Sequence, residues 1–577
     1  MSMNNNTACR EVFDGFSGLG LSSRGKTSCR LDNFRVLADG SLEKREGIRH
    51  LASLPRAVRG ICSFPEGGED VILAVAGNTL YRIRKNGETL STSCFVTEEG
   101  EVGSFWFGGR LYFLDGKSIY RYEGNGVAVE VHGYTPLYGK NWSTFTTEDH
   151  TVNEPLNTLS PYVRLHFRVI DSVRQIEIGF GVKEIDWILA DGVKINSSRY
   201  QLTNGKNAIL FSELIYASEI EVSATVSTDG YTDSTPSSCR RAAVYEDFEN
   251  SRVFFFGGQD STQFFATEPR SAAVLARDRA LYPLSCGLYV PLGRGCSLEG
   301  GEPITAICRC QDRMLLFFPS SLWASEVMDE AAGESILFSP VCSHLGCSAN
   351  GAAVMTGTSA PITVSRGGVY RLRIDPDLLE ECESTRLSDA VEPFFSGASL
   401  ADVSVCYHHR RGELWFAAKG ADNILLYAPE RKAWYCYGGI FVERLFAFGD
   451  GVGFSSGSEV FVFDEALCVD MLSDGAHLIE AVFESGWLDF DDTGAEKRAE
   501  GLVITAALSG GELMLSLSDG TPLGEEKISG KHPVPFGIYD CRLPTGRFRA
   551  TRLTIRALGP MRERIYRAEL LAQKGKK

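Results

Sequence analysis

At 577 residues, with 44% hydrophobic and 11% aromatic residues, the chain has material for several buried cores, and length alone suggests about three or four domains. Its 60 Gly against 8 Met suit many short strands joined by tight turns rather than a helical bundle, because glycine supplies the positive φ angles that hairpins need. The 58 basic and 74 acidic residues leave a formal charge of −16, which excludes nucleic-acid binding over the general surface but is compatible with an acidic channel past which DNA slides.

The opening Met1 to Arg10 is polar and lacks the apolar core of a secretory signal, and no apolar run reaches the roughly 18 residues of a membrane span. The 16 cysteines are mostly single and sit in apolar strand-like runs, as with Cys308, Cys406 and Cys436, so they read as reduced, buried thiols in a cytoplasmic host. Phe13 to Ile48 reads as an extended arm, a strand turning at Asp39-Gly40, and a basic return strand.

Strand patterns then dominate. Val71 to Arg84 (VILAVAGNTLYRIR) places two strands about Gly77-Asn78. Ser104 to Gly124 is a three-stranded meander punctuated by Gly108-Gly109 and Asp115-Gly116. The same grammar returns at Ser251 to Phe265, Ile304 to Trp323, Ile362 to Ile374, Glu413 to Gly438 and Arg444 to Phe463. Units recurring roughly every 40–60 residues predict an all-β fold, a β-propeller of about six or seven blades. Trp434 closes one unit and is placed to plug the gap between neighbouring sheets.

Two regions break the pattern. Between Thr151 and Pro236 the strands lengthen, which predicts an inserted β-sandwich, and Ser227 to Arg241 reads as a linker. From Ile479 a second, C-terminal sandwich of about 95 residues is expected. The expected boundaries are an arm and first strand over 1–50, first blades over 51–150, the insert over 151–240, remaining blades over 241–478 and the second sandwich over 479–577.

No catalytic, cofactor-binding or metal-binding residue is assigned. Cys308-Arg309-Cys310 and Cys342 to Cys347 lack the paired knuckles of a zinc site. His408-His409-Arg410-Arg411 reads as a solvated, basic hairpin end. Ser518 to Thr521 and Asp229 to Tyr231 read as ordinary turns. From Cys541 to Lys577, eight Arg and three Lys face Glu563 and Glu569, which reads either as a surface for an acidic partner or as a solvated face.

Four phrases carry a resemblance: FDGFSGLGL (Phe13 to Leu21) with LDNFR and DGSLEKREGI (Leu31 to Ile48); Ile304 to Trp323; His344 to Arg371; and Phe483 to Arg498. In this order they resemble tailed-bacteriophage virion proteins of the propeller nozzle and tail-tube-associated type. The resemblance implies a structural, non-enzymatic subunit of a ring, often hexameric, lining the DNA exit channel. It also implies portal, adaptor or tail-protein partners, transient passage of viral DNA, no membrane insertion, no cofactor, and a place in the virion after assembly in the host cytoplasm. The family's lengthy tip domain has no counterpart among the phrases. The alternative is a glycan-binding or glycan-cleaving receptor-recognition propeller of the tail, with Trp106, Trp323, Trp415 and Trp434 as stacking platforms.

Overall fold

The computed structural model describes residues 8–574 apart from 21–27, 143–151, 179, 227–234, 248–250, 294, 298–300, 329–335, 356–359, 375–381, 398–401, 509, 530–533 and 543–545. The turn expected at Asp229 to Tyr231 and most of the linker expected at Ser227 to Arg241 lie outside the described residues. The fold is all-β: a β-propeller with two β-sandwiches. Among the described residues, no helix is long and apolar enough to cross a membrane.

Seven four-stranded antiparallel blades form the propeller among the described residues, five as separate sheets and the sixth and seventh as parts of larger sheets. Their inner strands, in chain order, are Val58–Glu66, Gly103–Phe107, Arg241–Tyr245, Ala306–Cys310, Ala353–Met355, Val403–His408 and Arg444–Phe448. All seven contribute to the wall of one axial cavity of about 720 Å³. The turn chemistry explains the meanders. Gly108 and Gly109 have φ of 57° and 72°, the two positive angles that a two-residue hairpin of matching twist requires. Asp115 accepts backbone N–H groups of Lys117 and Ser118 through Oδ1 and of Thr97 through Oδ2, which pins the next turn to blade 1. Trp434 is 2% exposed and its indole N–H donates to the Leu387 carbonyl at 2.7 Å, so it seals the junction of blades 5 and 6.

Inner strands approach closely where side chains are small. A Cβ on Gly103 would sit 2.0 Å from the Arg240 carbonyl oxygen. Gly103→Ala therefore has to part blades 2 and 3 and is expected to cost at least about 1–3 kcal/mol, read as a lowered urea midpoint. An unchanged midpoint would disprove the contact.

The insert lies between blades 2 and 3. One of its sheets runs Val152–Asn153, Leu137–Trp142, Tyr162–Val169, Glu219–Val226, Val182–Ala190 and Val193–Lys194. The other holds Val173–Glu177, Ala208–Ile215 and Tyr200–Leu202. It takes in Leu137–Trp142, ahead of the expected boundary at 151, because that strand pairs in parallel with Tyr162–Val169. Val163, Leu165, Phe167, Ile220, Val222 and Ala224 fill the space between its sheets, as strict alternation dictates.

The N-terminal segment corrects the expectation of an extended arm. Ala8–Phe13 pairs with Arg564–Lys574, Ser28–Asp32 with Ala481–Ser485, and the hairpin Phe34–Val36 with Leu42–Lys44 joins the same sandwich. Gly47–Ser53 then becomes the fourth strand of blade 7, against Glu459–Asp464. The segment buries Phe13, Phe16, Leu31, Phe34, Val36, Leu42 and Ile48 in the core of this same chain. Burial of that much apolar surface outweighs extension onto solvent or a neighbour.

Candidate functional site

Between the strands Leu42–Lys44 and Gly47–Ser53 lie two residues, Arg45 and Glu46, each 2% exposed. Their backbone is fixed by pairing with the sandwich on one side and blade 7 on the other, so both charged side chains are forced into the seam between domains. Arg45 donates to both oxygens of Asp470 at 2.8 and 2.6 Å and to Asn33 Oδ1 at 2.8 Å. Glu46 accepts from Arg411 Nη1 at 2.7 Å, and the Tyr437 hydroxyl stands 3.5 Å from its other oxygen. Arg411 also reaches Glu465 at 2.9 Å, which in turn takes Arg410 at 3.0 Å.

The solvated hairpin end expected at His408 to Arg411 is therefore corrected in half its length. His409 and Arg410 stay outside, but His408 is 4% exposed against the Trp415 ring, and the Arg411 side chain is 10% exposed. The physical reason is Glu46, a buried anion that Arg411 must answer.

Two cavities flank this chain of charges. One, of about 820 Å³, lies among blades 1, 6 and 7 and is walled by Glu46, Arg84, His408, Phe448, Asp450 and Asp464 among others. The second, of about 400 Å³, lies between blade 6 and the N-terminal hairpin, with Arg35, Glu413 and Arg431 in its wall. Arg410, Arg411 and Glu465 are shared by both.

The carboxyl and imidazole groups are driven apart in protonation. Burial would raise Glu46, but the charge and hydrogen bond of Arg411, with the charge of Arg35, overcome it and hold the group at about 2. Burial, helped by Arg411, lowers His408 to about 4. Burial pushes Glu413 up. A carboxylate so firmly held as an anion is too weak a base for proton transfer near neutral pH. The arrangement binds charge.

Acid should weaken this seam in two steps. Between pH 6.5 and 4 the unfolded chain takes up a proton that folded His408 refuses, and between pH 4.5 and 2 the same holds for Glu46. Each shift contributes about 3 kcal/mol that is present above its window and lost as pH falls through it. His408→Gln should flatten the loss of urea midpoint between pH 7 and 4.5 relative to the parent. Parallel curves would refute the assignment.

Other candidates resolve differently. Burial raises Cys308, Cys310 and Cys347, so these thiols behave as small apolar groups. The cysteines whose side chains are described are free. His166, Glu219 and Glu221 come within 4.8 Å of one another on the outer face of the insert, a grouping that sequence reading missed because it spans two strands. Protein groups already answer it: His166 stands 3.6 Å from Glu219, and Arg277 lies 3.6 Å from Glu221. The basic C-terminal stretch is largely answered inside the chain, with Arg552 on Glu484, Arg564 on Asp39, Arg567 on Asp14 and Lys574 on Asp492. Trp415 and Trp434 are buried, while Trp106 is 41% exposed and stacks on Phe64 at 5.3 Å.

Neither a family model nor a curated protein sequence matches the chain. Among solved structures, it is similar to PorZ, a surface component of the type-IX secretion system of Porphyromonas gingivalis, at 11% identity over 85% of this chain, with a TM-score of 0.34; the chain spans 46% of that protein's length. It is similar to virginiamycin B lyase from Staphylococcus aureus at 10% identity over 72% of this chain and 97% of that one, with a TM-score of 0.36. It is also similar to the WD40 propeller domain of Doa1 at 7% identity over 73% and 97% of the two chains, with a TM-score of 0.32.

Proposed function

We propose that the chain is a structural, non-catalytic subunit of a tailed-phage particle, a nozzle or head-to-tail ring component beside the DNA exit channel. The observation that carries this reading is the place of the phrase with the phage resemblance. Its residues from Phe13 to Ile48 supply strands to the C-terminal sandwich and lead directly into the strand that closes blade 7. A segment that ties propeller to sandwich suits a part that must hold its shape within a ring. The formal charge of −16 suits a surface past which DNA moves without adhering.

Homo-oligomeric rings by negative-stain microscopy of the purified protein, and the chain's presence in assembled particles by mass spectrometry, are the expected results. A monomer at micromolar concentration that is missing from particles would sink the proposal. The glycan-binding alternative rests on the exposed Trp106–Phe64 stack. A glycan array on which Trp106→Ala loses a signal would favour that reading instead.

A further inference from the structure

We propose that the cavity of about 400 Å³ between blade 6 and the N-terminal hairpin is a binding site for a phosphate-class oxyanion. Four arginines, Arg35, Arg410, Arg411 and Arg431, line it from three separate stretches of chain. Arg410 and Arg411 share Glu465. Arg431 donates to the Val36 carbonyl oxygen and, among the described residues, has no carboxylate oxygen within 4 Å.

A second, independent observation points to a ligand. Glu413 lines the cavity, is 7% exposed, and its Oε2 has no hydrogen-bond partner among the described residues. The buried Nε of Arg35 has none either, although the same guanidinium reaches Glu43 at 3.0 Å through Nη2. Buried polar atoms are rarely left in this state, and both residues line this cavity. A bound oxyanion would take N–H groups from the arginines, and burial, which raises Glu413, lessens the repulsion between that carboxyl and the anion. A metal cation would face four arginines, whereas the planar guanidinium fork matches the oxygens of phosphate.

The test uses the full chain at pH 7 and constant ionic strength, titrated with inorganic phosphate by calorimetry against a sodium chloride control. One saturable site is expected. Arg431→Ala should lower its affinity by at least about tenfold, and Arg431→Lys by less than Ala, since it keeps charge but loses the fork. Glu413→Gln, which keeps a donor, should retain binding, and Arg547→Ala, on an exposed pair elsewhere, should leave it unchanged. Selenate soaked into crystals should give an anomalous peak in this cavity, which holds the proposal testable even if an arginine variant misfolds. No saturable heat above the chloride control, equal competition by acetate, or an anomalous peak elsewhere would overturn it.

Discussion

Lys44→Met alone is expected to destabilise the protein by about 3–5 kcal/mol, while the double variant Lys44→Met, Glu563→Leu returns to within about 1–2 kcal/mol of the parent. Both side chains are fully buried, with Lys44 Nζ 2.8 Å from Glu563 and 2.8 Å from the Gly559 carbonyl oxygen. The pair joins the N-terminal hairpin to the C-terminal end of the sandwich, and the chain has no room to relax around it. A Cβ on Gly511 would fall 1.6 Å from a Glu563 oxygen. Removing one partner strands a charge in an apolar core, whereas removing both exchanges two desolvation costs for packing. Burial raises Glu563 and Lys44 pulls it back. Without the lysine, burial acts alone, so Lys44→Met should lose less stability at pH 5 than at pH 8. Urea midpoints at the four corners of the cycle decide the matter. A double variant as weak as Lys44→Met would show that the two groups are not coupled.

What the sequence made legible, and what it hid, follows the range of the interactions. Hairpin chemistry is local, so Gly77-Asn78, Gly108-Gly109 and Asp115-Gly116 mark turns that the structure contains, and the meanders they punctuate are blades 1 and 2. Trp434 was legible as a plug because its place at the end of a unit implies a neighbour. The N-terminal segment was not, because alternation announces a strand and is silent about its partner. Ala8 pairs with Gln573, and no short-range pattern encodes that register.

The seam was hidden for the same reason. His408 to Arg411 carries the composition of a solvated turn, and only Glu46, 365 positions earlier, makes Arg411 a buried residue. The basic C-terminus looked like an excess because its acidic partners, Asp14 and Asp39, stand at the other end of the chain. Charge counts over a window measure a surface only when the window folds against itself.

Deleting residues 1–53 is expected to abolish folding rather than trim the molecule. The deletion removes four strands from the sandwich and the closing strand of blade 7. It also removes seven apolar side chains of the largest core cluster, from Phe13 to Ile48. At about 1.5–3 kcal/mol for each buried side chain, that loss is on the order of 10–20 kcal/mol, at least as large as the whole stability of an ordinary domain. The strand Glu459–Asp464 would be left with an open edge, which favours aggregation. The segment contributes through pairing and burial, and covalent continuity is secondary, so a separate chain of residues 1–53 co-expressed with 54–577 should restore a soluble complex. Size-exclusion chromatography and thermal melts check both halves. A truncated chain that is soluble and melts as cooperatively as the parent would mean that neither the propeller nor the sandwich depends on these strands.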